Sequence, residues 1–287
     1  MPAKGTTAKA ATARWICPSC GKGVATAFCP RCGEKPPARL TLRHLASQVA
    51  AAFSSLDTKV ARTFRTLVTQ PGALTVAFVE GRRKPYLGPF QVFLSANAVF
   101  FAVQSVSKVR IFSTTLHAHL TEQDWASGAQ TLLTRHLAAR HVTYAQYQPL
   151  FDQAATLNAK TLIILMVLVF AGVLPLVFLG NRRPLAAHVV FSLHFYAFVL
   201  LLFCVALGAS ALDTAAGGGG LTTGLMDIVL SLFNIAVCAV YLFLAVGRVY
   251  GERGAWRIAK VAGLLAVVAA MVPGYRFAIL LITLATT

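Results

Sequence analysis

The chain has 287 residues, 57% of them hydrophobic and only 12% charged, with a mean hydropathy of +0.68. Soluble domains carry about 25% charged residues, so an ordinary soluble domain is excluded and the deficit points to lipid. The net charge of +17 would suit nucleic acid, but its placement along the chain accounts for it in another way, and no nucleic-acid partner is expected.

Residues 1–14, MPAKGTTAKAATAR, are basic and rich in Ala and Thr and have no apolar core. They read as a flexible tail, not a signal peptide. Residues 15–35 follow with CPSCGKGVATAFCPRCG, from Cys17 to Gly33. The spacing C-x2-C-x8-C-x2-C makes two matching CPxCG knuckles, each a tight turn whose glycine lets backbone amides face the sulfurs. Paired CxxC units with no secretion signal favour a metal over disulfides. Cys17, Cys20, Cys29 and Cys32 can surround one structural zinc ion tetrahedrally, with no open coordination position. Iron in a rubredoxin-like centre and a dithiol redox pair are the alternatives. A ribbon this short buries little, so the metal should supply its folding energy. Cys204 and Cys238 lie apart, in apolar runs.

Residues 40–85 form the next segment. Leu42, Leu45, Val49, Phe53, Leu56, Val60, Phe64 and Leu67 recur every three or four residues, one apolar stripe on a helix. Thr41 can cap its start, and Pro71-Gly72 ends it. With Arg43, Lys59, Arg62 and Arg65 on it, the helix suits either an anionic leaflet or the face of a helical bundle. Arg82, Arg83 and Lys84 then stand at the lipid headgroups.

Residues 86–287 read as a transmembrane bundle with an outer loop at 107–160. Apolar stretches of about 20 residues, the length that crosses a bilayer, occur five times: near 86–106, 161–180, 185–207, 224–246 and 261–285. Pro273-Gly274 could break the last. Residues 1–85 hold 14 Lys and Arg; Arg182 and Arg183, then Arg248, Arg253, Arg257 and Lys260, bring the same side to 20 of 26. Positive residues stay inside. The N-terminus is therefore expected on the cytoplasmic side of the membrane and the C-terminus outside. In the outer loop, Thr121, Glu122 and Asp124 look like the start of one short amphipathic helix. His117, His119, His136 and His141 could bind metal or sense pH, or be scattered surface residues.

Polar residues inside spans need partners. Asn97, His188, His194, Asp227, Asn234 and Arg276 form the candidate intramembrane polar set, either as glue between helices or as a site for a proton, ion or lipid headgroup. Asp227 and Asn234 are seven apart and share a helix face; Asp227 is also a candidate partner for Arg276. No phosphate loop, nucleophile elbow, zinc-protease helix or dinucleotide fingerprint is present. The protein is therefore expected not to be an enzyme, and no catalytic residue is assigned.

These residues resemble the uncharacterised bacterial membrane family known as domain of unknown function 3667. The resemblance rests on the ribbon, on Thr66, Leu67, Pro71 and Gly72, and on GRRKPYLGP with Gly81, Arg82, Arg83, Tyr86 and Pro89. HVVFSLHFYAF in the third span and YLFLAVGRVYG in the fourth extend it. Tyr196 stands where a second histidine would follow His194, which argues against a paired-histidine metal site. The resemblance implies a shared architecture and no activity. Two readings follow. One is an adaptor or regulatory membrane protein whose ribbon recognises a protein partner. The other is a transporter or lipid-handling protein built on the polar set. Membrane lipids are expected partners in both.

Overall fold

A computed structural model of the chain describes residues 15–17, 20–31, 58–83, 85–107, 111–112, 114–181, 183–220 and 224–287. The chain divides into two compact units, Met1–Thr58 and Lys59–Thr287. In the first, strands β1 (Trp15–Ile16) and β2 (Gly23–Val24) pair antiparallel, Trp15 opposite Val24. The turn between them holds Gly21 at φ 68, and the Cys17 amide donates to the Lys22 carbonyl at 3.0 Å. Cys17, Val24 and Cys29 are the buried core of this ribbon, with Trp15 and Cys20 against it. The core thus consists largely of the thiols themselves.

The second unit is all helix. It starts with α1, helical over residues 58–69, and α2 (Ala73–Val79). Next come α3 (Pro89–Ser107), α4 (Leu116–Thr121), α5 (Ala126–Arg140), α6 (Tyr144–Thr161) and α7 (Ile164–Val177). The last three are α8 (Leu185–Ala215), α9 (Gly224–Tyr250) and α10 (Gly254–Thr286). Four of these, α3, α8, α9 and α10, are long and apolar enough to cross a membrane. A fifth span exists when α6 and α7, bent by 46° at their junction, count as one. This is a multi-pass helical membrane protein with a small cysteine ribbon.

The second span differs from its expected limits of 161–180. Alone, α7 has 14 residues, about 21 Å at 1.5 Å per residue, against an apolar core of about 30 Å. The helix breaks at Leu162 and Ile163, and α6 supplies the missing length. Hydropathy misses α6 because polar residues interrupt it: Tyr147, Phe151, Ala155 and Ala159 are buried, while Gln148, Asp152, Gln153, Asn158 and Lys160 lie between and beside them in the chain. Polar bonds fix that face to α10. Tyr275 Oη donates to the Ala159 carbonyl at 2.8 Å, and Asn158 Nδ2 donates to Thr283 Oγ1 at 3.0 Å. The outer loop likewise differs from expectation. It holds α4, α5 and the start of α6, not one helix, and the cap of α4 is Thr115, whose Oγ1 accepts from the Ala118 amide at 3.3 Å. Thr121 ends α4 rather than starting a helix. The last span is unbroken: α10 continues through Pro273, a substitution that membrane helices tolerate where neighbours satisfy the freed carbonyl.

At the centre stands α8, packed by α2, α3, α7 and α9, and nearly every residue from 190 to 200 is buried. Between membrane helices the attraction comes from packing and hydrogen bonds, since lipid is as apolar as leucine. The packing here is aromatic. Phe198 stacks on Tyr241 at 3.8 Å, Phe178 on Tyr250 at 3.8 Å, and Phe170 on Phe195 at 5.2 Å. The two ends of the bundle are distinguishable by chemistry. One, the basic end, carries Arg183, Arg248 and Arg253; the other, the loop end, carries α4 and α5.

Of the expected 40–85 helix, residues 40–57 lie outside the described residues, as does Thr41. α1 ends before Pro71-Gly72, as the sequence suggests, and the chain then turns back into the bundle. Both residues are buried, and α2 packs against α8 and α9 with Leu74, Thr75 and Ala77 inside. The cause is the backbone of Gly72, which is left-handed at φ 80 and lies flush on Ala245 and Val249. Arg248 Nη1 then donates to the Pro71 carbonyl at 2.9 Å.

Candidate metal centre and polar sites of the bundle

The sulfurs of Cys17, Cys20 and Cys29 lie within 4.8 Å of one another, and Cys20 and Cys29 Sγ are 3.5 Å apart. Metal–sulfur bonds of about 2.3 Å in a tetrahedron place sulfurs about 3.8 Å apart, so the three thiols fit a metal ion. Cys17 and Cys29 are buried and Cys20 half-buried. Trp15 Nε1 donates to the Thr26 carbonyl at 2.9 Å and Thr26 Oγ1 to the Phe28 carbonyl at 2.6 Å, which secures the turn that leads into Cys29. Cys32 lies outside the described residues. Among those described, no other three His, Cys, Asp or Glu side chains converge so closely. His117, His119, His136 and His141 are not in the cysteine group.

The six polar residues expected in the bundle do not form one site: His188, His194 and Asn97 stand apart from the other three. His188 Nδ1 shares a 2.9 Å hydrogen bond with Tyr250 Oη at the basic end. His194, 4% exposed, shares one of 2.9 Å with Thr75 Oγ1 of α2. Next to His194 a crevice of about 10 Å³ is lined by Leu74, Phe78, Arg82, Arg83, Tyr86 and Leu87, room for about one water. Arg82 pairs with Glu80 at 2.5 Å, Arg83 lies 4.4 Å over the Phe78 ring, and both are exposed. Lys84 is outside the described residues. Asn97 is half-buried on α3.

Asp227, Asn234 and Arg276 do come together. They line one cavity of about 710 Å³ between α8, α9 and α10. The expected Asp227–Arg276 ion pair is not formed. Arg276 instead donates from Nε and Nη2 to the Ile111 carbonyl, at 3.1 and 2.8 Å. The ion pairs among the described residues are Arg82–Glu80 and Lys260–Glu252. Sequence reasoning missed Ser231, which lies between Asp227 and Asn234 on the same wall; its signal was the i, i+4, i+7 spacing along α9. It also missed Thr75 and Tyr250, which lie 119 and 62 residues from their histidines and gave no local signal.

In the loop unit His119 is fully buried, and its Nδ1 accepts from Trp125 Nε1 at 3.3 Å. Its Nε2 is buried without a hydrogen-bond partner among the described residues. Burial and then the Arg276 cation push its pKa from 6.5 down to about 4. The neutral imidazole therefore stabilises the fold fully above pH 6.5, and this is lost as pH falls toward 4. At pH 5 the loss is about 2 kcal/mol. Hydrogen-exchange protection factors of residues 115–140, corrected for the intrinsic exchange rate at each pH, are expected to fall from pH 6.5 to 5, and His119→Phe to flatten that dependence. Identical pH profiles in the two proteins would remove His119 as the cause.

Comparison with curated proteins and with solved structures returns no match. Residues 57–101, which span α1, α2 and most of α3, match the family described as protein of unknown function (DUF3667), and over that segment the resemblance read from the sequence is shown.

Proposed function

We propose that this protein is a non-enzymatic adaptor or regulatory membrane protein of the bacterial cytoplasmic membrane. Its ribbon holds one structural zinc through Cys17, Cys20, Cys29 and Cys32 and recognises a protein partner on the inner side. The observation that carries the reading is a set of thiols drawn together on a unit that exposes two large apolar side chains: Ile16 is 72% and Phe28 54% exposed. A closed sulfur site does no chemistry of its own, and it fixes the shape of a recognition surface. The excess of Lys and Arg on one side supports the orientation. The test is extraction of the tagged protein in polymer nanodiscs with mass spectrometry of what accompanies it, beside a Cys29→Ser, Cys32→Ser variant. A stoichiometric protein lost with the ribbon supports the adaptor. Recovery of the same proteins from both forms counts against it.

A second reading, handling of a small solute, ion or lipid within the bundle, is favoured by the cavity that Asp227, Asn234 and Arg276 share.

A further inference from the structure

The cavity between α8, α9 and α10 holds two opposite charges that do not meet. Asp227 projects from the first turns of α9 and Arg276 from α10, near the loop end. Asp227 is exposed at the cavity mouth and Arg276 is half-buried, and ionisable side chains within spanning helices are functional-site candidates. Arg276 places Nε and Nη2 on the Ile111 carbonyl, and its Nη1 takes no partner among the described residues. Along α9, Asp227, Ser231 and Asn234 make one polar stripe into the cavity. Asn234 Oδ1 is buried and accepts no hydrogen bond among the described residues. The other walls are apolar, with Val199 and Phe203 from α8 and Leu265 and Val268 from α10.

We propose that this cavity binds one acyl chain and the head of a zwitterionic ammonium phospholipid. The ammonium lies at Asp227, and the phosphodiester lies at Arg276. An ammonium donates to a carboxylate, and a guanidinium donates to phosphate in charge-assisted bonds. A purely anionic head satisfies Arg276 but meets the like charge of Asp227. A single ion is too small for about 710 Å³, a volume within the ~300–1,000 Å³ of ligand sites. The inference deepens the second reading above and concerns binding alone.

The test is native mass spectrometry of the full-length protein released from nanodiscs holding equal phosphatidylethanolamine and phosphatidylglycerol. The intact protein is expected to retain one phosphatidylethanolamine over phosphatidylglycerol by about fivefold, the scale of one headgroup charge contact. Asp227→Asn is expected to erase that preference, and Ala269→Phe, which fills the cavity from an exposed position of α10, to lower retention of both. Equal retention by the intact protein, or a preference unchanged by Asp227→Asn, overturns the proposal. Should a variant unfold, the intact protein's own preference still decides. A protein that retains the lipid yet moves none between leaflets of a vesicle supports the site and removes the transport reading.

Discussion

Replacing Cys17 and Cys20 by serine in the full chain is expected to take bound metal from one ion per chain to none and to unfold the ribbon. Structural zinc supplies about 10–16 kcal/mol of apparent binding energy in zinc-finger peptides. Little else here could hold the fold. The strands are two residues each, and the buried cluster is Cys17, Val24 and Cys29. Three of the five side chains in or against that cluster are thiols, so loss of the ion removes the centre of the core as well as its crosslink. Elemental analysis gives the stoichiometry and separates zinc from iron. Hydrogen exchange at residues 20–31 gives the fold. Protection of that segment that persists in the serine variant, or after chelation, would show that the thiols are not its organising element.

The cluster of Cys17, Cys20 and Cys29 was legible in the sequence because these thiols lie within a few residues of one another. The wall formed by Asp227 and Asn234 was legible for the same reason: seven residues are two turns of one helix. What stayed hidden depends on contacts between distant segments. Nothing in ALTVAFV announces that Thr75 will meet His194, 119 residues later. Pro71-Gly72 reads as a helix stop, and it is one, but the stop serves to turn the chain back into the bundle. Arg276 had a correct neighbourhood and a wrong partner. A carbonyl in the 111–112 segment takes the guanidinium, and a backbone oxygen cannot be read from side-chain types. α6 was not read with the second span because it is largely polar and finds its apolar contacts on α10.

Gly72→Ala should weaken the bundle far more than Gly81→Ala, although both glycines have φ 80. The shared backbone strain of an alanine there is about 1–2 kcal/mol. The difference lies in what a Cβ would touch. At Gly81 nothing lies within 4 Å, whereas at Gly72 the Cα and carbonyl oxygen of Ala245 and Cγ2 of Val249 are each at 3.1 Å. Two of those atoms are backbone of a spanning helix and cannot turn aside, so α2 must move off α9, an overpacking cost of about 1–3 kcal/mol beyond the strain. That displacement also loosens the Arg248 bond to the Pro71 carbonyl and the Thr75–His194 bond. Thermal unfolding in one detergent gives the two costs, and hydrogen exchange of residues 73–79 shows whether α2 is the part released. Equal effects at the two glycines would mean that α2 is not seated against α9. A larger effect at Gly72 would locate, within the segment that carries the family match, the contact that closes the basic end of the bundle around His194.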